Sequence, residues 1–295
     1  MNFMARPTFS AFAELLKPVT WFPPMWAFAC GVVASAAPLA SQWQLVVLGI
    51  LLAGPAVCAT SQAVNDWFDR HVDAINEPKR PIPSGRMPGR WGLYVAIAWT
   101  LLSILLASVL GTWAFVAALL GLALAWAYSA PPIRLKRNGW WGNAACALSY
   151  EGLAWITGAA VVAGGVLPDS RSLVLALLYS AGAHGIMTLN DFKSVAGDRI
   201  MGVGSLPVRL GVDRAAQVAS VTMAVPQLAV IGLLLFWGAP WHAVAVGVLL
   251  GVQVLMMRRF IAAPVARALW YSALGVPLFV SGMMVSAFAL RSVSV

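Results

Sequence analysis

The chain has 295 residues, of which 61% are hydrophobic and only 10% charged, with a net charge of +9. A soluble domain is about one quarter charged, so composition excludes a soluble globular protein and indicates a polytopic membrane protein. The positive excess then reports on topology before nucleic acid, which is not expected as a partner, and three cysteines inside apolar runs (Cys30, Cys58, Cys146) imply neither a disulfide framework nor a metal site.

Met1 to Lys17 is short, mildly basic and amphipathic around Phe9 to Leu16. Arg6 and Lys17 precede an apolar run, and Ala34-Ser35-Ala36 resembles a cleavage site, but Pro18, Pro23 and Pro24 interrupt any signal-peptide core. The run is therefore read as a retained helix. Apolar stretches between charge clusters predict nine spans, roughly at 20–38, 43–64, 92–110, 113–129, 143–164, 172–190, 214–236, 241–257 and 269–289. Connections after the odd-numbered spans are short and nearly chargeless. Those after the even-numbered spans hold the basic residues, so that 17 of the 19 Lys and Arg fall on one side and only Arg171 and Arg291 on the other. The positive-inside rule puts that side, with the N-terminus, in the cytoplasm and the C-terminus outside. The expected fold is an all-α integral membrane domain over residues 1–295, with nine transmembrane helices around a central cytoplasm-facing cavity.

The second span runs into Asn65-Asp66-Trp67-Phe68-Asp69-Arg70-His71-Val72-Asp73, and four of the ten acidic residues (Asp66, Asp69, Asp73, Glu77) lie here. If the helix continues, steps of three and four residues place Asp66, Asp69 and Asp73 on one face. Such a strip needs counter-charge, for which a divalent metal is the first candidate and pairing with Arg70, Lys79 and Arg80 at a solvated helix end the alternative. Between Asp66 and Asp73 a helix rises about 10 Å, too far for one ion to bind both directly at the roughly 2.1 Å of Mg²⁺–oxygen bonds. Adjacent members such as Asp66 and Asp69 can share an ion, with Asn65 one turn from Asp69. Asn190-Asp191 with Asp198 repeats the dipeptide and the seven-residue step at the end of the sixth span, which suggests two pseudo-repeated four-helix halves plus one helix. Two ions on opposed jaws would suit a diphosphate.

Asn76 to Arg86 combines prolines with cations that could clamp a leaving diphosphate, Arg80 and Arg86 first among them. Tyr128-Ser129-Ala130-Pro131-Pro132 ends the fourth span; Tyr128 could offer a π face to a carbocation, and Arg134 or Lys136 a phosphate contact, though prolines and basic residues also serve as ordinary interfacial anchors. His184, two turns or less before Asn190, reads as a buried structural histidine, with ligation or substrate contact as the alternative. Glu151 is the one acid deep within a span and a functional candidate on that ground. Tryptophans near span ends form an aromatic belt, and the small residues from Gly152 to Gly165 permit close helix packing.

Together, Asn65-Asp66-x-x-Asp69-x-x-x-Asp73 and Asn190-Asp191 with Asp198-Arg199 resemble the two signatures of the UbiA superfamily of intramembrane prenyltransferases. Lys17-Pro18-Val19-Thr20-Trp21, Arg80-Pro81-Ile82-Pro83-Ser84-Gly85, Tyr128 to Pro132 and Ser205-Leu206-Pro207-Val208 are similar to its chlorophyll synthase branch, and Trp21 to Trp26 with Trp67 to Asp73 to the bacteriochlorophyll synthases within it. The resemblance covers essentially the whole chain. It implies transfer of a geranylgeranyl or phytyl group from its diphosphate to the propionate carboxylate of a chlorophyllide or bacteriochlorophyllide, with Mg²⁺ as cofactor and Mn²⁺ as a substitute. Metal would fall to Asp66, Asp69, Asp73, Asp191 and Asp198. Catalysis would fall to Asp66, Asp69, Asp191, Arg80 and Tyr128, and diphosphate binding to Asn65, Arg86, Arg134, Lys136, Asn190, Lys193 and Arg199. It further implies a multi-pass protein of a bacterial inner membrane, in contact with lipid and with neighbouring pigment-biosynthesis enzymes. Ser194 stands where the superfamily commonly has Asp, and Ala196 where this branch has Glu, a local weakening of the second metal site. The alternatives are a prenyltransferase for another aromatic or haem acceptor, a cation-coupled transporter using the same carboxylates, and a pigment-binding assembly protein without activity.

Overall fold

A computed structural model describes residues 6–293, which form helices and turns with no strand beyond an isolated bridge between Asn138 and Gly204. A short α1 (Phe9–Leu16) precedes α2 (Phe22–Ala34). Next, α3 (Leu39–Leu51) passes through a π-helical turn, Leu52–Cys58, into α4 (Ala59–Asn76). Then come α5 (Trp91–Ser108), α6 (Thr112–Ser129), and α7 (Gly139–Ala147), which continues through a second π-helical turn, Leu148–Leu153, into α8 (Ala154–Val162). The second half holds α9 (Ser170–Asp191), the short α10 (Val195–Ile200) and α11 (Leu206–Leu210), and α12 (Val212–Phe236), α13 (Pro240–Ala262) and α14 (Pro264–Val293).

Eight helical segments among the described residues are long and apolar enough to cross a membrane, and the chain is a multi-pass membrane protein. Six of the expected spans agree with single helices to within a few residues, and the fifth with α7–α8 as one continuous segment, Gly139–Val162. Two expectations differ. At 13 residues, α2 rises only about 20 Å, because Pro23 and Pro24 fix its first turn and Ala36, with φ 57°, ends it. The second span is much longer than expected: Ala40–Asn76 is continuous over 37 residues and carries the helix past its apolar stretch through the whole acidic strip. Pro55 lacks the amide hydrogen that an α-helical ladder needs, and the first π-helical turn forms around it.

Close approach is achieved with small residues. A Cβ at Gly31 of α2 would collide with the Trp155 backbone, and one at Gly158 of α8 with the Phe28 carbonyl, so these helices meet backbone to backbone. Two pairs of polar groups buried between helices satisfy each other: Gln227 and Gln253 exchange amide hydrogen bonds of 3.2 and 3.1 Å, and Tyr179 and Ser286 hydroxyls lie 2.7 Å apart. Apolar packing of Ala11, Leu15 and Leu16 on Ala59, Ala63 and Val64 fixes α1 alongside α4. That contact brings Lys17 to the acidic strip.

Candidate active site

Because α4 stays helical through Asn76, Asp66, Asp69 and Asp73 share one face as their spacing requires. Asp66 is 2% exposed and Asp73 6%. Their counter-charges come from three separate places in the chain. Lys17, in the left-handed conformation at the end of α1, puts Nζ 2.6 Å from Asp66 Oδ1. Arg80 Nη1, from the loop after α4, lies 3.4 Å from the same oxygen and 2.9 Å from Asp73 Oδ2. Arg134 lies 3.5 Å from Asp69 Oδ1, which also pairs with Lys136, both from the turn after α6. Burial by itself would lower the pKa of Arg80, but the Asp66 and Asp73 carboxylates hold it above its usual value. For Lys136 burial prevails, and its pKa falls below the usual lysine value despite the adjacent Asp69. Two lysines and two arginines thus supply counter-charge from within the chain, beside whatever a bound metal would add.

Asn65 donates to Ser129 Oγ at 3.2 Å, tying α4 to the end of α6 beside Tyr128. Tyr128 is the penultimate residue of α6, directly before Ser129. Asn143 of α7 donates to Asp191 Oδ2 at 3.1 Å and to Thr188 Oγ1 at 3.2 Å. Asp198 accepts from Ser194 Oγ at 3.0 Å. Asn190, Lys193 and Arg199 are exposed, and among the described residues no ion pair involves either cation.

Arg86 is not brought to the strip. The proline-rich turn directs it to Glu14 of α1, which it holds by two contacts of 2.7 and 3.0 Å, and the hydrogen bond from Arg86 lowers the pKa of Glu14. Arg70 likewise turns away, stacking on Trp67 with its guanidinium 4.2 Å from the ring centroid.

The donor set suits a hard cation. Asp66 Oδ2 is buried and has no hydrogen-bond partner, and the neighbouring ligand atoms are all oxygens, the type preferred by Mg²⁺. Among the described residues no three acidic, His or Cys side chains converge on one point. Mg²⁺ ordinarily takes only one or two protein carboxylates, completing its shell with phosphate oxygens and water.

Several residues of the site were given no role there by the sequence. Lys17 is 49 residues from Asp66 in sequence, and its role depends on how α1 packs. Asn143 lies in no motif. Tyr150, in the second π-helical turn, accepts hydrogen bonds from Gln62 Nε2 at 3.0 Å and from Cys58 Sγ at 3.4 Å, so the two π-helical turns meet through side chains two turns deeper than the acids.

The profile of the UbiA prenyltransferase family matches residues 24–289. The chain belongs to this family. It is therefore a prenyltransferase. The chain is 55% identical to the bacteriochlorophyll synthase 33 kDa chain of Rhodobacter capsulatus, over 97% of this chain and 94% of that one. With the chloroplastic chlorophyll synthase of Arabidopsis thaliana it shares 40% identity over 94% of this chain and 73% of the relative. Among solved structures, a digeranylgeranylglyceryl phosphate synthase matches with TM-score 0.74 at 18% identity, covering 95% of this chain and 98% of that one. A UbiA homologue from Archaeoglobus fulgidus bound to DMAPP and Mg²⁺ matches with TM-score 0.65 at 20% identity, covering 95% and 99%. Both share this chain's fold.

Proposed function

We propose that this prenyltransferase joins a geranylgeranyl or phytyl group to the propionate carboxylate of bacteriochlorophyllide, or of chlorophyllide, and releases diphosphate. The observation that carries the reading is the Asp66–Asp69–Asp73 strip, buried at Asp66 and Asp73 and part-buried at Asp69, with its four cations, in a chain 55% identical to a bacteriochlorophyll synthase. Asp66 and Asp69, with Asp73 beside them, and Asp191 with Asp198 would hold Mg²⁺, for which Mn²⁺ could substitute. When bound, Mg²⁺ would neutralise the charge of the departing diphosphate.

Arg80, Arg134 and Lys136 act with it, offering fixed positive charge where the leaving oxygen becomes anionic. Asn65 and Asn190 contribute amide groups to diphosphate binding, while Lys193 and Arg199 are exposed cations near the second jaw that can meet the diphosphate as it enters. The allylic C–O bond breaks with its electron pair going to diphosphate, and a substrate carboxylate oxygen bonds the allylic carbon. Tyr128 offers a π face to that carbon. An ordinary carboxylate, with a pKa near about 4, is already an anion at neutral pH and needs no general base. The absence of a Ser-His-Asp arrangement from the motifs agrees with this.

On this reading residues 1–295 form one domain of two four-helix halves plus a ninth helix, with the acids and the N-terminus cytoplasmic and the C-terminus outside, in a bacterial inner membrane. The distribution of Lys and Arg supports that orientation. Membranes containing the protein, given bacteriochlorophyllide, geranylgeranyl diphosphate and Mg²⁺, should form esterified pigment and diphosphate, and a chelator or Asp69→Asn should stop both. Product formation indifferent to both treatments would overturn the reading.

A further inference from the structure

Two grooves lie on the outer side of α7, and no aspartate lines either. One, of about 390 Å³, is walled by Trp140, Ala144, Ser180, Ala181 and His184 among others. The second, of about 470 Å³, shares Trp140 and Thr222 with the first and continues along α12 past Val221 and Val225. Neither is lined by a lysine or an arginine, so a diphosphate has no counter-ion here. Their surfaces are nearly all apolar, and the small Ala144 and Ala181 side chains leave room beside the broad Trp140 indole.

One polar group in this wall is unexplained. His184 is 9% exposed; its ring lies 5.6 Å from that of Trp140 and tilted 31° to it, with Nε2 3.2 Å from the Trp140 carbonyl oxygen. A carbonyl oxygen only accepts, so Nε2 carries the hydrogen. In the neutral ring Nδ1 then holds a lone pair, and it is buried without a partner. A doubly protonated ring would instead place an unpaired cation against an apolar groove. An imidazole whose one N–H is fixed by a backbone carbonyl while the other nitrogen keeps its lone pair is the usual arrangement of a metal-ligating histidine.

We infer that this groove is the binding site for the tetrapyrrole acceptor and that His184 is the axial ligand of the acceptor's central Mg. The inference rests on the proposed function for the identity of the acceptor. A tetrapyrrole is flat and largely apolar, and its central metal has an open axial position, matching the groove's shape, its lack of cations and its single free nitrogen. Seven residues of α9 separate His184 from Asp191, a rise of about 10 Å. That is comparable to the distance from the centre of the macrocycle to the end of its propionate arm. The same two helices tie the groove to the acids, since Asn143 bonds both Asp191 and Thr188, and the Thr188 hydroxyl donates to the His184 carbonyl at 3.0 Å. Ligation requires Trp140 to yield, and its indole, 41% exposed, is the movable part of the wall.

The test is a titration of the purified protein in lipid nanodiscs with bacteriochlorophyllide and with the same macrocycle stripped of Mg, using resonance Raman to report Mg coordination. The intact enzyme should prefer the Mg form and show an axial nitrogen ligand. His184→Phe should weaken binding of the Mg form by about tenfold or more, to the level of the Mg-free macrocycle, with the Kd for geranylgeranyl diphosphate unchanged. Ala181→Trp, which fills the groove from its exposed side without touching the core, should raise KM for the pigment but not for the diphosphate. Equal losses for both macrocycles in His184→Phe, or an unchanged pigment KM in Ala181→Trp, would overturn the inference and leave the proposed function standing. An intact protein that binds neither macrocycle would overturn both.

Discussion

Arg80 bridges two carboxylates, and its removal separates its structural role from its chemical one. In Arg80→Met, Asp66 keeps Lys17 at 2.6 Å, but Asp73, whose only ion-pair partner among the described residues is Arg80 at 2.9 Å, is left as a nearly buried anion. A hydrogen bond to a charged group contributes about 1.5–3 kcal/mol, and the 31% exposure of Arg80 keeps the loss below the roughly 3–5 kcal/mol of a fully buried pair. At about 2–4 °C per kcal/mol, the expected fall in Tm is roughly 3–12 °C in detergent. Adding Asp73→Asn removes the stranded charge and should restore most of that stability. Activity should behave otherwise. If Arg80 stabilises the leaving diphosphate, esterification by the double variant should remain lower by about 10²-fold or more, the usual cost of losing one such electrostatic contact. Pigment turnover and thermal unfolding on the same preparations decide the matter. Recovery of both by the double variant would show that Arg80 serves only to neutralise Asp73.

Lys136 must be charged to act on a diphosphate, and burial lowers its pKa, so the alkaline loss of kcat/KM should begin below the usual lysine value of about 10.4. Lys136→Arg should carry that loss to higher pH, and an unmoved profile would exclude Lys136 as its source. The Glu14 carboxyl has a depressed folded pKa through Arg86, so the tether holding α1 is fully formed above the unfolded value of about 4.3 and is lost as pH falls through the lower folded value. Proteolysis ahead of Pro18 should therefore accelerate in that acidic range in the intact protein, whereas Glu14→Gln should be cut at the same rate throughout. Ala196→Glu adds an oxygen ligand close to Asp198 in α10 and should lower the Mg²⁺ concentration needed for half-maximal activity, while an unchanged requirement would show that the second site is not weakened at this position.

Architecture was legible wherever apolar length alone decides the outcome. The helices from α5 to α9 and from α12 to α14 follow stretches that could not be left exposed to water, and their ends fall near the basic or glycine-rich turns that interrupt them, whereas the short α10 and α11 lie in a polar connection where no span was expected. Where hydropathy and helical continuity diverge, the reading was less accurate. An apolar window stops near Val64, but the backbone hydrogen bonds of α4 do not, since nothing before Glu77 removes a donor or forces an unusual dihedral angle. At α2 the error ran the other way, because apolar residues extend on both sides of a helix that prolines start and Ala36 ends.

At the site the same division holds between along-chain and through-space information. The shared face of Asp66, Asp69 and Asp73 follows from a spacing of three and four residues, and so was visible in the sequence. Of what balances them only Arg80 was visible, among the nearby cations Arg70, Lys79 and Arg80, because Lys17, Arg134 and Lys136 arrive from distant connections whose paths are set by packing. Arg86 shows the limit most clearly: it lies six residues from Arg80 in a loop rich in proline, yet one guanidinium reaches two aspartates and the other leaves for Glu14 on α1. Positive charge at the cytoplasmic end of a span therefore identifies a population of cations and not the members that meet the substrate. Within that population, those held against a buried carboxylate are set apart, since only they have exchanged hydration for a fixed position.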